Sequence, residues 1–340
     1  KNIIVKNQGT KHPLYLEVIS QLADIHISSG ENSNAVKYLI ESSDLFHSQI
    51  INAVYFLSES EMAQYLETFK KYQFRLLAYV HQNPESEEIL NLCMNNALFY
   101  KGFLLDAYNQ FKRLALKDQH ILDKYSLLKS FGRRLAVEYT KPINEQEQVE
   151  FLQAKYNELE KEILKGISGL ASLRKQVDWQ ELQQKLHAGE AAIEFVNYYL
   201  NDEDSIISSK YGALVLKPEM SHPEFVFLCN GNDLSLLESL QLNRRLDYVN
   251  ELYSKTDRGA NAVEHKNKSL YELLWSKMER TLAGVNTIYF SPIGLLHRIN
   301  LNAIPISEEE TLADRFNFIE QISTRQLVFP YQQEITSSDA

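Results

Sequence analysis

Cysteine is scarce: only Cys93 and Cys229 occur in 340 residues, far apart and each among apolar neighbours. That spacing argues against a disulfide framework and a thiolate metal site, and leaves both thiols as buried, inert side chains. No run approaches the ~20 uninterrupted apolar residues of a membrane-spanning helix. The first ten residues lack the basic-then-apolar pattern of a secretory leader, so the chain is expected to be soluble and cytoplasmic. It opens on Lys1 rather than a methionine, which suggests an upstream piece. Basic charge is in deficit, with 35 Lys and Arg against 45 Asp and Glu and a formal charge of −10. A direct nucleic-acid partner is therefore not expected, because phosphate binding needs clustered cations. The pairs Lys112-Arg113, Arg133-Arg134 and Arg244-Arg245 read as solvated helix faces. Gly231, Gly259 and Gly294 lie in no phosphate-cradling pattern, and no cofactor or metal is expected. What remains is an ordinary globular composition, 44% apolar and 24% charged, in a length suited to two domains.

Helical periodicity prevails from Pro13 to about Leu173. Leu16, Ile19, Leu22, Ala23 and Ile27 fall on one face, residues 28–32 form a turn, and Ala35, Val36, Leu39, Ile40 and Leu45 form a second face. Two short antiparallel helices cannot bury their apolar faces alone, so such hairpins stack on neighbours. Further helices are predicted over Ser58–Gln82, Glu85–Ala115 and Asp118–Tyr139, with boundaries at Asn83-Pro84 and Lys141-Pro142. Val149, Leu152, Tyr156, Leu159 and Ile163 make a short heptad-like seam that should dock on the preceding helices. Leu170 to Leu186 is expected to continue helically.

At Gly189 the period changes. Strands are predicted at Ala191–Tyr199, Tyr211–Leu216 and Glu224–Cys229, with Asp202-Glu203-Asp204-Ser205 as a polar hairpin loop. Helices are expected at Leu234–Ser254 and Ser269–Leu282, flanking a polar stretch from Asp257 to Asn267. Thr287–Phe290 reads as a short buried strand. The apolar runs Phe318–Ile322 and Gln326–Phe329 precede a polar tail.

The first hairpin resembles a tetratricopeptide (TPR) repeat, with Leu22-Ala23, Gly30 and Ala35 at its small-residue positions and Leu39 where an aromatic is usual. The segment Ile288 to Pro305 is similar to the strand–turn–strand signature of the CHAT domain, a caspase-like family found attached to such repeats. Pro292, Gly294, Leu296, His297 and Ala303 match, while Asn300-Leu301 departs from the usual proline and aromatic. The entry Leu186 to Glu190, the two helices before the motif and Ser323-Thr324-Arg325-Gln326-Leu327 after it follow the family's order. The helices from Ser58 to Leu173 resemble its linker region, as in Ser58-Glu59-Ser60-Glu61 and Lys101-Gly102-Phe103-Leu104-Leu105. The implied fold class is a helical TPR-like array followed by the N-terminal part of a caspase-like α/β domain. The implied boundaries are a repeat at 1–50, degenerate helical repeats or linker helices at 51–175, the domain at 176–335 and a polar tail at 336–340.

The resemblance implies a bacterial cysteine peptidase, switched on by a protein partner and acting in defence or regulated proteolysis. Its thiolate and histidine would stand on a His-Gly and a Ser-Ala-Cys-type segment, neither of which occurs here. No catalytic, cofactor or metal residue is assigned in this chain. Cys229 and His297 invite pairing, but His297 matches a non-catalytic position, and a buried histidine holding a backbone carbonyl or a neighbouring polar group is the expectation. Glu190 and Glu194 share a strand face without catalytic need, and Asp202, Glu203 and Asp204 lack the spacing of a calcium loop. The expected partners are a protein or peptide on the helical-repeat surface and the remaining half of the α/β domain. Alone, the last strand would leave an aggregation-prone edge. A processed subunit and a non-catalytic interaction scaffold are the alternatives.

Overall fold

The computed structural model describes residues 6, 9–10, 12–166, 177–201, 207–234 and 269–329. The predicted loop at Asp202–Ser205, all but the first residue of the predicted Leu234–Ser254 helix, the Asp257–Asn267 stretch and the tail fall outside these residues. No described helix is long and apolar enough to cross a membrane. The chain divides into two compact units, Lys1–Tyr72 with Gly102–Gln176, and Gln73–Lys101 with Val177–Ala340.

Among the described residues six long helices precede the sheet: α1 Pro13–Ser28, α2 Asn32–Ala53, α3 Glu59–Gln82, α4 Glu87–Lys117, α5 Gln119–Tyr139 and α6 Val149–Gly166. Their ends follow local chemistry. At the end of α1, Gly30 takes a left-handed φ of +72°. Its N–H bonds the Ile27 carbonyl at 3.1 Å, and the Glu31 N–H bonds the His26 carbonyl at 2.9 Å. That is a Schellman stop, which needs a residue without a Cβ. The next helix then turns back on the first, burying Ala23, Ala35 and Leu39. Helix α3 opens with a capping box in which the Ser58 N–H donates to Glu61 Oε2 at 2.9 Å and the Glu61 N–H to Ser58 Oγ at 3.4 Å. The seam helix α6 packs against α5. The helix predicted over Leu170–Leu186 ends earlier than expected, at Gln183. Residues 170–176 of it lie outside the described residues; among those described, Val177 and Asp178 are non-helical and Trp179–Gln183 (α7) is wound, its N-terminus capped by Asp178 Oδ1 on the Glu181 N–H at 2.7 Å.

The second unit is built on a mixed sheet. Its strands are β1 Glu190–Asn201, β2 Ile207–Leu216, β3 Glu224–Asn230, β4 Thr287–Ser291 and β5 Asn317–Glu320, in the order β3-β2-β1-β4-β5. The strands β1, β2 and β3 form an antiparallel meander, whereas β4 runs parallel to β1 and β5 parallel to β4. Central β1 is buried on both faces, which explains its near-continuous apolar run. One face (Ala191, Ile193, Phe195, with Ala213, Val215, Ile288 and Phe290) packs against Leu270, Leu273, Leu274, Trp275, Met278 and Leu282. The predicted apolar face of that last segment is thus correct, but the predicted Ser269–Leu282 helix is wound over Tyr271–Trp275 as a π-helix and continues over residues 276–284 as turns. The other face meets the Gln73–Lys101 stretch of the same unit, where His81 Nδ1 lies 2.7 Å from the Tyr198 hydroxyl. Between β2 and β3 the register slips so that Tyr211 pairs with Cys229 and Gly212 with Phe227. Leu228 is the extra residue of this bulge, and its carbonyl accepts from the Lys277 ammonium.

The segment after β4 departs from the expected second strand. Gly294–Arg298 and Leu301–Ala303 are 3₁₀ turns. Asn300 favours this by accepting the Asn302 N–H on its side-chain oxygen at 3.1 Å. Leu296, Leu301 and Ile304 all reach the core this way.

Candidate functional site

Open α/β sheets gather their chemistry beyond the carboxyl ends of parallel strands. Here that place is the end of β4, where Ser291 pairs in register with Glu194 of β1. Glu194 and Ser291 are fully buried, as are Ser323 and Thr324 from the turn after β5. Lys101, at the end of the Gln73–Lys101 stretch, sends its ammonium into this cluster. It stands 2.9 Å from Glu194 Oε2, 2.9 Å from the Ser291 carbonyl and 3.0 Å from Ser291 Oγ. The other carboxylate oxygen, Oε1, accepts from Ser323 Oγ at 3.1 Å, the Thr324 N–H at 2.7 Å and Thr324 Oγ1 at 2.7 Å. Ser291 Oγ donates to the Ile322 carbonyl at 2.7 Å.

The electrostatics are those of a closed ion pair. Burial holds the Lys101 amine below the ordinary lysine value, and the adjacent Glu194 carboxylate opposes that shift. The ammonium donates to the Ser291 carbonyl and to Ser291 Oγ and pairs in charge with Glu194 Oε2. Glu194 Oε1 is triply bonded, and Oε2 faces the lysine. Glu194 and Ser291 are closed off from solvent. The cluster fixes the ends of β4 and β5 against β1.

Outside this brace runs the Ser291-Pro292-Ile293-Gly294 turn. Gly294 has φ +56°, and a Cβ on it would stand 2.8 Å from the Tyr211 hydroxyl. The Leu295 N–H approaches that hydroxyl at 3.4 Å. Leu296 is buried behind the turn. His297 is exposed, which corrects the expectation of a buried histidine holding a backbone carbonyl or a neighbouring polar group. The 3₁₀ winding turns its ring outward while Leu296 takes the core position. Cys229 is buried in β3 and Cys93 in α4, and neither is in a disulfide. Burial pushes the Cys93 thiol up, so it is the inert group expected. Glu190 is half-buried and serves the strand entry, accepting the His187 N–H at 2.8 Å and the Tyr289 hydroxyl at 3.2 Å. Glu190 and Glu194 thus do not act as a pair. Gly231 follows β3, where a Cβ would meet Ser209 at 2.7 Å. Gly259, Asp202, Glu203 and Asp204 lie outside the described residues. Among the described residues no cluster of His, Cys, Asp or Glu could hold a metal ion.

A hollow of about 250 Å³ opens beside the end of β3, lined by Cys229, Asn230, Asp233, Glu272 and Lys277 among others. It lies below the usual 300–1,000 Å³ of a small-molecule site. The chain matches no protein-family model, and no curated protein matches it. The residue that sequence reasoning missed is Lys101. A lone lysine in a helical pattern gives no signal of burial, and its partner Glu194 lies in another element.

Proposed function

We propose that this chain is the front portion of a TPR–CHAT, caspase-like cysteine peptidase. In this reading the helical unit recruits or senses a protein partner, and the α/β unit is the platform of the peptidase. The observation that carries it is the placement of the Pro292-x-Gly294 turn at the carboxyl end of parallel β4, braced from behind by Lys101 and Glu194. The reaction would be acyl transfer. A thiolate attacks the peptide carbonyl, backbone N–H groups hold the oxyanion, the amine leaves with a proton from histidine, and water releases the acid. Cys93 and Cys229 are buried in apolar surroundings, so the nucleophile in this reading is supplied by residues not in this sequence. The contribution of these residues is to hold the strand ends in register.

The test is to read the frame beyond residue 340 and then assay the full protein. A histidine ending one strand and a cysteine ending the next, with self-cleavage abolished by Cys→Ala, support the proposal. A stop codon at 340, or cleavage that survives the substitution, overturns it. The second reading is a non-catalytic scaffold, favoured by the burial of the Glu194 cluster and its engagement by Lys101, Ser323 and Thr324. In that case partner capture by the full protein persists without any peptidase activity.

A further inference from the structure

A second buried acid lies in the helical unit, independent of the site above. Three consecutive residues in the first turn of α3 meet one face of α6. Glu160 Oε2 accepts the Glu59 N–H at 3.1 Å, Ser60 Oγ donates to Asn157 Oδ1 at 2.9 Å, and the Lys161 ammonium pairs with Glu61 at 2.7 Å. Positions 157, 160 and 161 are i, i+3 and i+4, so a single stripe of α6 makes all three bonds. Glu160 is only 3% exposed.

The surroundings disfavour a charge on it. Half-buried Glu59 from α3 adds a second acid, itself pushed up by burial. Glu61 from α3 is committed to Lys161 and to its own capping box. The Tyr108 phenol of α4 and the Tyr156 phenol of α6 are raised by burial and by the Glu59 and Glu160 carboxylates, so both keep their protons. Tyr125 of α5 adds another phenol near Tyr156. The one cation in this group, Lys161, is engaged by Glu61. Burial lifts Glu160 to about 7, opposed by the Glu59 N–H.

We propose that Glu160 is a proton-operated latch: uncharged, it sits in the dry junction between α6 and the first turn of α3, and its ionisation puts there a buried charge that the Glu59 N–H does not offset, which draws in water and loosens that turn. The folded state holds the proton between the ordinary value of 4.5 and about 7, whereas the unfolded chain does not. Stability of this junction therefore falls as pH rises through that window and stays reduced above it. The helical unit is tighter in a mildly acidic medium than in an alkaline one.

Hydrogen exchange of the whole chain, corrected for intrinsic rates, reads the latch at the amides of residues 59–62. Between pH 6 and pH 8 the wild type should lose about ten-fold in protection, the ratio set by one group titrating near 7. Glu160→Gln should hold one level at both pH values, and Glu59→Gln should keep the pH dependence. Equal pH response in wild type and Glu160→Gln overturns the proposal, as does a response abolished by Glu59→Gln alone. Carboxyl NMR of the wild type needs no variant. A Glu160 midpoint clearly above 4.5 supports the latch, and one at the ordinary glutamate value overturns it.

Discussion

Lys101 and Glu194 face each other at 2.9 Å, and between them they bind the end of β4 and the turn after β5. Such a pair resists the loss of either partner far more than the loss of both. Removing one leaves an uncompensated buried charge, whereas apolar replacement of both removes the desolvation penalty as well.

Lys101→Met and Glu194→Leu should therefore each destabilise the sheet unit by about 3–5 kcal/mol, and the double variant by much less than their sum. Urea denaturation of the four proteins gives the coupling directly. Additive losses would show that the ion pair contributes nothing beyond its separate side chains.

This brace also marks where sequence reading stopped. The helices and strands were legible because burial writes a period into them: Leu16, Ile19 and Ala23 along α1, or the unbroken apolar run of central β1. The 3₁₀ turns after β4 were not. Ile299, Asn300 and Leu301 alternate as a strand would, and only the Asn300 side chain, bonding forward to the Asn302 N–H, shows why the chain winds. Glu194 looked like one of two acids on a strand face, because its partners lie on a helix far upstream and a turn far downstream. Glu160 drew no expectation from the sequence, because its partner Glu59 lies on another helix.

Glycine offers a cleaner contrast. Gly30 and Gly294 both have left-handed φ values, +72° and +56°, but a Cβ at Gly30 meets nothing within 4 Å while one at Gly294 stands 2.8 Å from the Tyr211 hydroxyl. Gly30→Ala should cost about 1–2 kcal/mol, the price of the backbone conformation alone. Gly294→Ala should cost more than that, and Tyr211→Phe in the same chain should return part of the difference by removing the oxygen. Thermal melts of the three variants check it. Equal losses for the two alanines would mean the Tyr211 ring moves aside freely.

The last titration runs opposite to that of Glu160. His81 Nδ1 lies 2.7 Å from the Tyr198 hydroxyl, and burial holds that phenol above the ordinary tyrosine value, so it keeps its proton. The imidazole is pushed below its ordinary 6.5, first by burial, then by Lys210 and Lys277. An unfolded histidine takes its proton near 6.5 while the folded one waits for a lower pH. Stability of the sheet unit should therefore be full above 6.5 and decline as pH falls through the gap between the two values. Imidazole NMR should place the His81 midpoint below 6.5. Replacing Lys210 and Lys277 by methionine should raise that midpoint without restoring 6.5, because burial is the larger cause. A midpoint that returns fully to the ordinary value would reverse that ranking and make the two ammonium groups, rather than the packing around the ring, the reason His81 stays neutral.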